Sequence, residues 1–191
     1  KIYINNILKK YDKKKYLSKN NQNIQRVKLI SDFLPKSNLL IPFREPIQHA
    51  YSLLTQHNRF IRYSKNDQFI SKYMKLIGHT EFGPNYIPVF NHNITFRDYS
   101  DINHWLEQWI LVYESSIKNL LNKSNVYFIN YQKLCNSREY WLEILDILKI
   151  KKSYEFNFQE SKKEINLKID PNLNEKAISI HNELNALKLK K

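Results

Sequence analysis

Arg44 and Ser52 are the two side chains in this sequence best suited by type and spacing to grip an anion. Arg44 follows a short apolar run, Leu39, Leu40, Ile41 and Phe43, which Ser37 and Asn38 bound on one side and charge on the other. Such a run reads as a buried strand. Pro46 fits the first turn of a helix, where a missing N–H costs nothing. A strand ending on Arg44 and passing straight into a helix sets a guanidinium beside the helix N-terminal N–H groups. Its planar fork can then hold a phosphate through two parallel hydrogen bonds. Ser52, in that following helix, can add a hydroxyl to the same anion. The alternative is a surface ion pair between Arg44 and Glu45, which would leave the arginine occupied.

Other chemistry is poorly provided for. The six histidines, His49, His57, His79, His92, His104 and His181, form no H-E-x-x-H or other tight ligand spacing, so no metal site is expected. The single cysteine, Cys135, permits no internal disulfide and reads as a packing residue. The two glycines, Gly78 and Gly83, both lie in GHTEFG. No glycine therefore stands between a strand and a helix, where a phosphate-cradling loop requires one.

The elements that must position Arg44 follow from periodicity. Tyr16, Leu17 and Ser18 suit a short strand with Lys19 just past its carboxyl end. Asn23 is placed to cap a helix carrying Ile24, Val27, Ile30 and Leu34, which Pro35 helps to stop. Beyond Ser52 the helical pattern continues over residues 57–77, with Phe60, Ile61, Phe69, Ile70, Tyr73, Met74 and Ile77 on one face. Residues 83–99 lack periodicity and read as a long functional loop. Asp101 begins a helix whose stripe, Ile102, Trp105, Leu106, Trp109, Val112, Tyr113 and Ile117, reads as core. Residues 125–130 form a second convincing strand, with Tyr131 at its end. A helix from Ser137 and an amphipathic helix after Asp170 and Pro171 complete the chain, the lysines at 188–191 suiting the latter's end. Residues 1–15 read as the end of a helix followed by a solvated lysine turn. Alternating strands and helices predict a parallel α/β sheet in one domain spanning 1–191.

Arg44, Pro46, Ala50, Ser52 and Leu53, in the pattern R-x-P-x-x-x-A-x-S-L after an apolar strand, resemble the 3′-phosphate-binding segment of sulfotransferases that use 3′-phosphoadenosine 5′-phosphosulfate. Lys19 and Asn23 upstream are similar to that family's K-x-x-x-N motif. Downstream, YMKLIGHTEFG, HWLEQWILVY and VYFINYQKLC follow in the order of bacterial members. The resemblance implies a P-loop-like three-layer sandwich. In it Arg44 and Ser52 hold the donor's 3′-phosphate, Tyr131 lies near its adenine and Lys19 near the transferring sulfonate, with no metal. Asn21 falls where cytosolic members carry a catalytic histidine, and an amide cannot accept that proton, so the general base is unassigned. His79, beside Glu81, either lines an acceptor pocket or is a structural histidine. The family's glycine loop lies upstream of the segment matching Lys19. Residues 1–191 are therefore expected to be an incomplete domain, inactive alone, lacking the strand that sits between its two neighbours at 39–43 and 126–130. The acceptor is open among carbohydrate, peptide, lipid and small metabolite.

Two rival readings stand beside it: a non-catalytic nucleotide or polyanion-binding module, and a phosphotransferase of the same topology. The net charge of +13 suits a polyanionic nucleotide. The lysines are nevertheless spread amid abundant Asn and Ile, which argues against nucleic-acid binding as the main role. No apolar run reaches membrane-spanning length and no signal peptide is visible, so a cytoplasmic location is the expectation. The first residue is Lys1 rather than Met, and a leader can precede it.

Overall fold

Pro46 opens the longest helix of the chain, and the strand before it supplies half of the sheet. A computed structural model describes residues 2–92, 94–151 and 156–189. Strand β1 (Leu39–Phe43) and strand β2 (Val126–Asn130) run parallel, Leu39 opposite Val126 and Phe43 opposite Asn130. Around them stand α1 (Ile2–Lys10), α2 (Val27–Phe33), α3 (Pro46–Asn66), α4 (Gln68–Leu76), α5 (Ile102–Leu120), α6 (Tyr131–Asn136), α7 (Arg138–Ile147) and α8 (Pro171–Ala186). The described residues are thus mixed α/β and mostly helical, with a two-stranded parallel sheet.

Strand alternation decides what the sheet buries. Ile41, Phe43, Val126 and Phe128 face the core with α3, α5 and α8, whereas Leu40 and Pro42 face solvent. The expectation of a fully buried first strand is therefore corrected: β1 is covered on one face. On the other face β2 buries Ile129, and the Asn130 N–H donates to the Tyr140 hydroxyl of α7. The two strands also pair directly with each other. The place between them that the resemblance gives to a glycine-loop strand is closed.

Helix α5 is the hub. Residues 102–110 are all buried, so this helix is enclosed on every side rather than on a stripe. The aromatic residues are core, as expected: Trp105, Trp109 and Tyr113 are buried, and the Tyr113 hydroxyl donates to the Pro42 carbonyl at 2.7 Å. Its buried polar residues fasten the long loop. Glu107 accepts from the Thr95 and Phe96 N–H groups, and Gln108 both accepts from and donates to the Phe90 backbone. Asn103 makes the corresponding bonds to the Lys168 carbonyl and the Asp170 N–H. A segment without regular structure can stay packed in this way because its backbone groups find partners on a helix.

Local capping sets the boundaries. Helices α5, α7 and α8 start where the sequence places them, and Asp101, Ser137 and Asp170 cap them. Three expectations are corrected. Residues 16–18 form no strand; the described sheet holds β1 and β2 alone, so their backbone joins no ladder, and Leu17 is left 91% exposed. Asn20, not Asn23, is the cap, accepting from the Gln22 N–H to start a 3-10 helix at Asn21–Arg26, and α2 begins after it at Val27. The helical pattern over 57–77 is broken at Asp67, whose side chain caps α4 instead of continuing α3. Lys15 is likewise more than a solvated charge: its Nζ donates to the Leu148 and Lys149 carbonyls, a cation at the end of α7. Residues 190 and 191 of the terminal lysine run, and Asn93 of the long loop, lie outside the described residues.

Candidate anion site at the carboxyl edge of the strands

Because Phe43 and Asn130 are paired, the next residue on each strand emerges at the same edge. Those residues are Arg44 and Tyr131, and the Arg44 Cζ lies 5.2 Å from the centroid of the Tyr131 ring. Asn130 caps α6 by accepting from the Lys133 N–H, which fixes Tyr131 as the first residue of that helix. The Tyr131 phenol is raised above its ordinary value, foremost by the Cys135 thiol, against the opposing pull of Arg44.

Among the described residues no carboxylate pairs with Arg44. The alternative ion pair with Glu45 does not form; instead Glu45 turns to cap α3, accepting from the Ile47 and Gln48 N–H groups at 3.2 and 2.6 Å. The spare N–H donors expected at that helix start are consequently in use. Among the described residues the guanidinium makes one long hydrogen bond, Nη2 to the Ser161 carbonyl at 3.4 Å. Its Nε is buried and has no partner among the described residues, and the Nδ1 of His49 is in the same condition. Burial, and secondarily the charge of Arg44, pushes His49 down to about 4. A buried cationic donor without an acceptor is costly unless something fills it.

A strap crosses this edge. Tyr131 donates to the Gln159 carbonyl, Arg44 reaches Ser161, and Gln48 exchanges hydrogen bonds with the backbone of Lys163 in both directions. Asn136 donates to the Glu160 carboxylate. None of this was signalled by periodicity, since residues 156–169 have no regular structure. What could have been noticed is that Gln48 and His49 sit one turn along the helix that Arg44 introduces.

The other two predicted residues stand apart. Ser52 is exposed, four residues after Gln48 and so on the same outward face of α3, and no hydrogen bond joins it to Arg44. Lys19 is exposed in the irregular stretch before Asn20. Two residues on, the Asn21 amide donates to a carboxylate oxygen of Glu81 at 2.9 Å. His79, the other candidate of that loop, stacks on Phe60 at 5.1 Å between centroids. Two clefts, of about 250 and 350 Å³, lie away from these groups, beside Val126 and Leu187 and beside Glu114 and Lys176. No cluster of His, Cys, Asp and Glu among the described residues is arranged to hold a metal ion, and no described helix is long and apolar enough to cross a membrane.

Buried histidines tie the long loop to the core, and they set a pH dependence. His57 Nδ1 accepts from the Gly83 N–H. His104 sits between the Phe96 carbonyl, 2.7 Å from Nδ1, and the Tyr86 hydroxyl, 2.9 Å from Nε2. A carbonyl can only accept, so the neutral ring carries its proton on Nδ1 and takes the Tyr86 O–H at Nε2. Burial lowers His57, His104, His181 and His49 alike. The unfolded chain therefore binds more protons than the folded one between pH 6.5 and about 4, and stability rises with pH through that window. It is fully in place above pH 6.5. Urea denaturation across this range is expected to give a loss of about 3 kcal/mol from His49 alone at the acid end, and His49→Gln should flatten the curve.

No protein-family model, curated protein or solved structure matches this chain.

Proposed function

We propose that these residues form the nucleotide-holding part of a sulfotransferase that moves a sulfonate from 3′-phosphoadenosine 5′-phosphosulfate to an acceptor hydroxyl or amine. The observation that carries the reading is the Arg44 guanidinium: a buried Nε with no partner and no carboxylate on it among the described residues, and an aromatic ring beside it at the carboxyl edge of parallel strands. In α/β proteins ligands collect at that edge. A ribose 3′-phosphate would supply Nε with its acceptor and replace the long bond to Ser161, which is cheap to give up. Tyr131 would flank the base, Ser52 would approach the phosphate from α3, and Lys19 would offset charge developing on the bridging oxygen. Catalysis would come from positioning and charge, with in-line displacement at sulfur and no metal step. The fuller sandwich with a glycine loop belongs to this proposal and not to the described residues.

One observation favours a second reading. The strands pair directly and no glycine lies between a strand and a helix, which suits a nucleotide-binding module that transfers nothing. Titration calorimetry with adenosine 3′,5′-bisphosphate, adenosine 5′-monophosphate and heparin tests the pocket common to both. Selective binding of the bisphosphate is expected. Equal, salt-sensitive binding to all three would make the chain a general polyanion binder.

A further inference from the structure

We propose that His49 is a second donor of the anion site and makes binding there proton-linked: an imidazole that is neutral without an anion takes up one proton from solvent when a doubly charged phosphate or sulfate group settles beside Arg44. It rests on the anion site that carries the reading above, and it names what regulates that site.

Helix geometry brings the two side chains to one place. His49 lies in the first turn of α3, and its backbone N–H donates to the carbonyl of Glu45, the neighbour of Arg44. Helical side chains lean toward the N-terminus and cover the turn before their own Cα. The imidazole therefore leans toward the end of α3 where Arg44 stands, and the guanidinium charge acts on it. Each residue carries a buried nitrogen without a partner among the described residues, Arg44 Nε and His49 Nδ1, while the rest of the His49 ring is partly exposed. The neighbours that could have answered Nδ1 are committed elsewhere. Glu45 accepts from the Ile47 and Gln48 N–H groups, and Gln48 is tied to the backbone of Lys163. In the strap, Glu160 accepts from Asn136 and lies 3.8 Å from the Lys162 Nζ, and Tyr131 of α6 donates to Gln159. On α8, His181 faces Phe43 and feels the charge of Glu45. Among the described residues Arg44 is thus the charge that bears on His49. One oxyanion, with several lone pairs, would serve both idle nitrogens.

Either neutral tautomer leaves Nδ1 idle, as an N–H without an acceptor or as a lone pair without a donor. Protonation without an anion would set an imidazolium in a buried place beside a guanidinium, so burial first and Arg44 second hold the group down to about 4. A dianion beside Arg44 reverses that balance. Its charge exceeds that of the arginine, and the Nδ1–H gains an acceptor, which moves the group back toward its ordinary value of 6.5. Between pH 6.5 and about 4 the protein with an anion then binds more protons than the protein without one, so affinity rises as pH falls through that window.

Inorganic sulfate is the probe for the test, because it keeps both charges across this range whereas a phosphate monoester takes up a proton near pH ~6. NMR titrations of the chain follow the Arg44 Nε–H for affinity and the His49 ring for protonation, with adenosine 3′,5′-bisphosphate added in parallel at about pH 7.5. Sulfate affinity is expected to rise about 10-fold from roughly pH 7.5 to roughly pH 5.5, and the His49 ring to titrate at higher pH with saturating sulfate than without it. His49→Gln, whose amide gains no charge, should bind sulfate with one affinity at both pH values, and Arg44→Ala should weaken sulfate binding at both. A wild-type affinity that does not change with pH, a His49 titration that sulfate leaves in place, or the same pH dependence in His49→Gln would each overturn the proposal while the Arg44 site stands. Proton-linked sulfate binding without binding of the bisphosphate would uphold the proposal and overturn the nucleotide reading alone. An Arg44 resonance that neither probe moves would overturn the anion site and this proposal with it.

Discussion

Glu107→Ala should lower the unfolding free energy by about 3 kcal/mol. Glu107 is buried on α5, and both carboxylate oxygens are used by the N–H groups of Thr95 and Phe96 at 2.8–3.0 Å. Removing the acceptor strands two donors, each worth roughly 1–3 kcal/mol when buried, with the exposure of Thr95 letting water recover part. The damage spreads because the same stretch accepts from His104 through the Phe96 carbonyl. Glu107→Gln, which keeps one acceptor, should cost roughly half as much. Urea unfolding gives the free energies, and limited proteolysis should cut the alanine variant first within residues 84–100. A variant with unaltered stability would show that the loop is held by its aromatic contacts instead.

Arg44→Ala is expected to weaken binding of adenosine 3′,5′-bisphosphate by about 10- to 100-fold, the range a lost charge-assisted bond to phosphate predicts. Stability should move the other way or not at all. Among the described residues Arg44 carries a buried donor without a partner, and deleting it removes a desolvation cost while giving up one long hydrogen bond. Arg44→Lys should not restore binding, because an ammonium has neither the Nε–H nor a plane to lie over Tyr131. An arginine retained for the fold would behave oppositely: calorimetry would show intact binding, and thermal unfolding would show a loss.

The contrast between Arg44 and Lys19 marks how much the sequence could reveal. Apolar runs ending at Phe43 and Asn130 announced both strands, and two parallel strands in register must deliver Arg44 and Tyr131 to one edge. Caps at Asp101, Ser137 and Asp170 were equally legible, since an oxygen-bearing side chain before an apolar period serves orphan N–H groups. Lys19 was placed through a strand at 16–18 that did not form, because a strand depends on a neighbour that local pattern does not specify. The break at Asp67 was missed for the opposite reason: helical periodicity runs through it, and the competing cap is a single side-chain bond.

The site's surroundings were the least legible part. Ser161 and Lys163 of the strap meet Arg44 and Gln48 through contacts spanning more than a hundred residues, carried by backbone carbonyls that have no sequence signature. Glu45 misled for a similar reason. As a charge next to Arg44 it invites an ion pair, but the N-terminus of α3 offers it two N–H donors with better geometry. The polar residues of α5 belong to a motif in the sequence, and their task of fastening the loop depends on contacts that the fold alone creates.

The Nε–H resonance of Arg44, followed by heteronuclear NMR during titration with adenosine 3′,5′-bisphosphate, tests the anion site most directly. This donor, buried and without a partner among the described residues, should shift downfield as a phosphate oxygen arrives, and should saturate with the same dissociation constant as calorimetry. Saturable binding that leaves the Arg44 resonance unmoved, while lysine signals across the surface respond instead, would contradict the account.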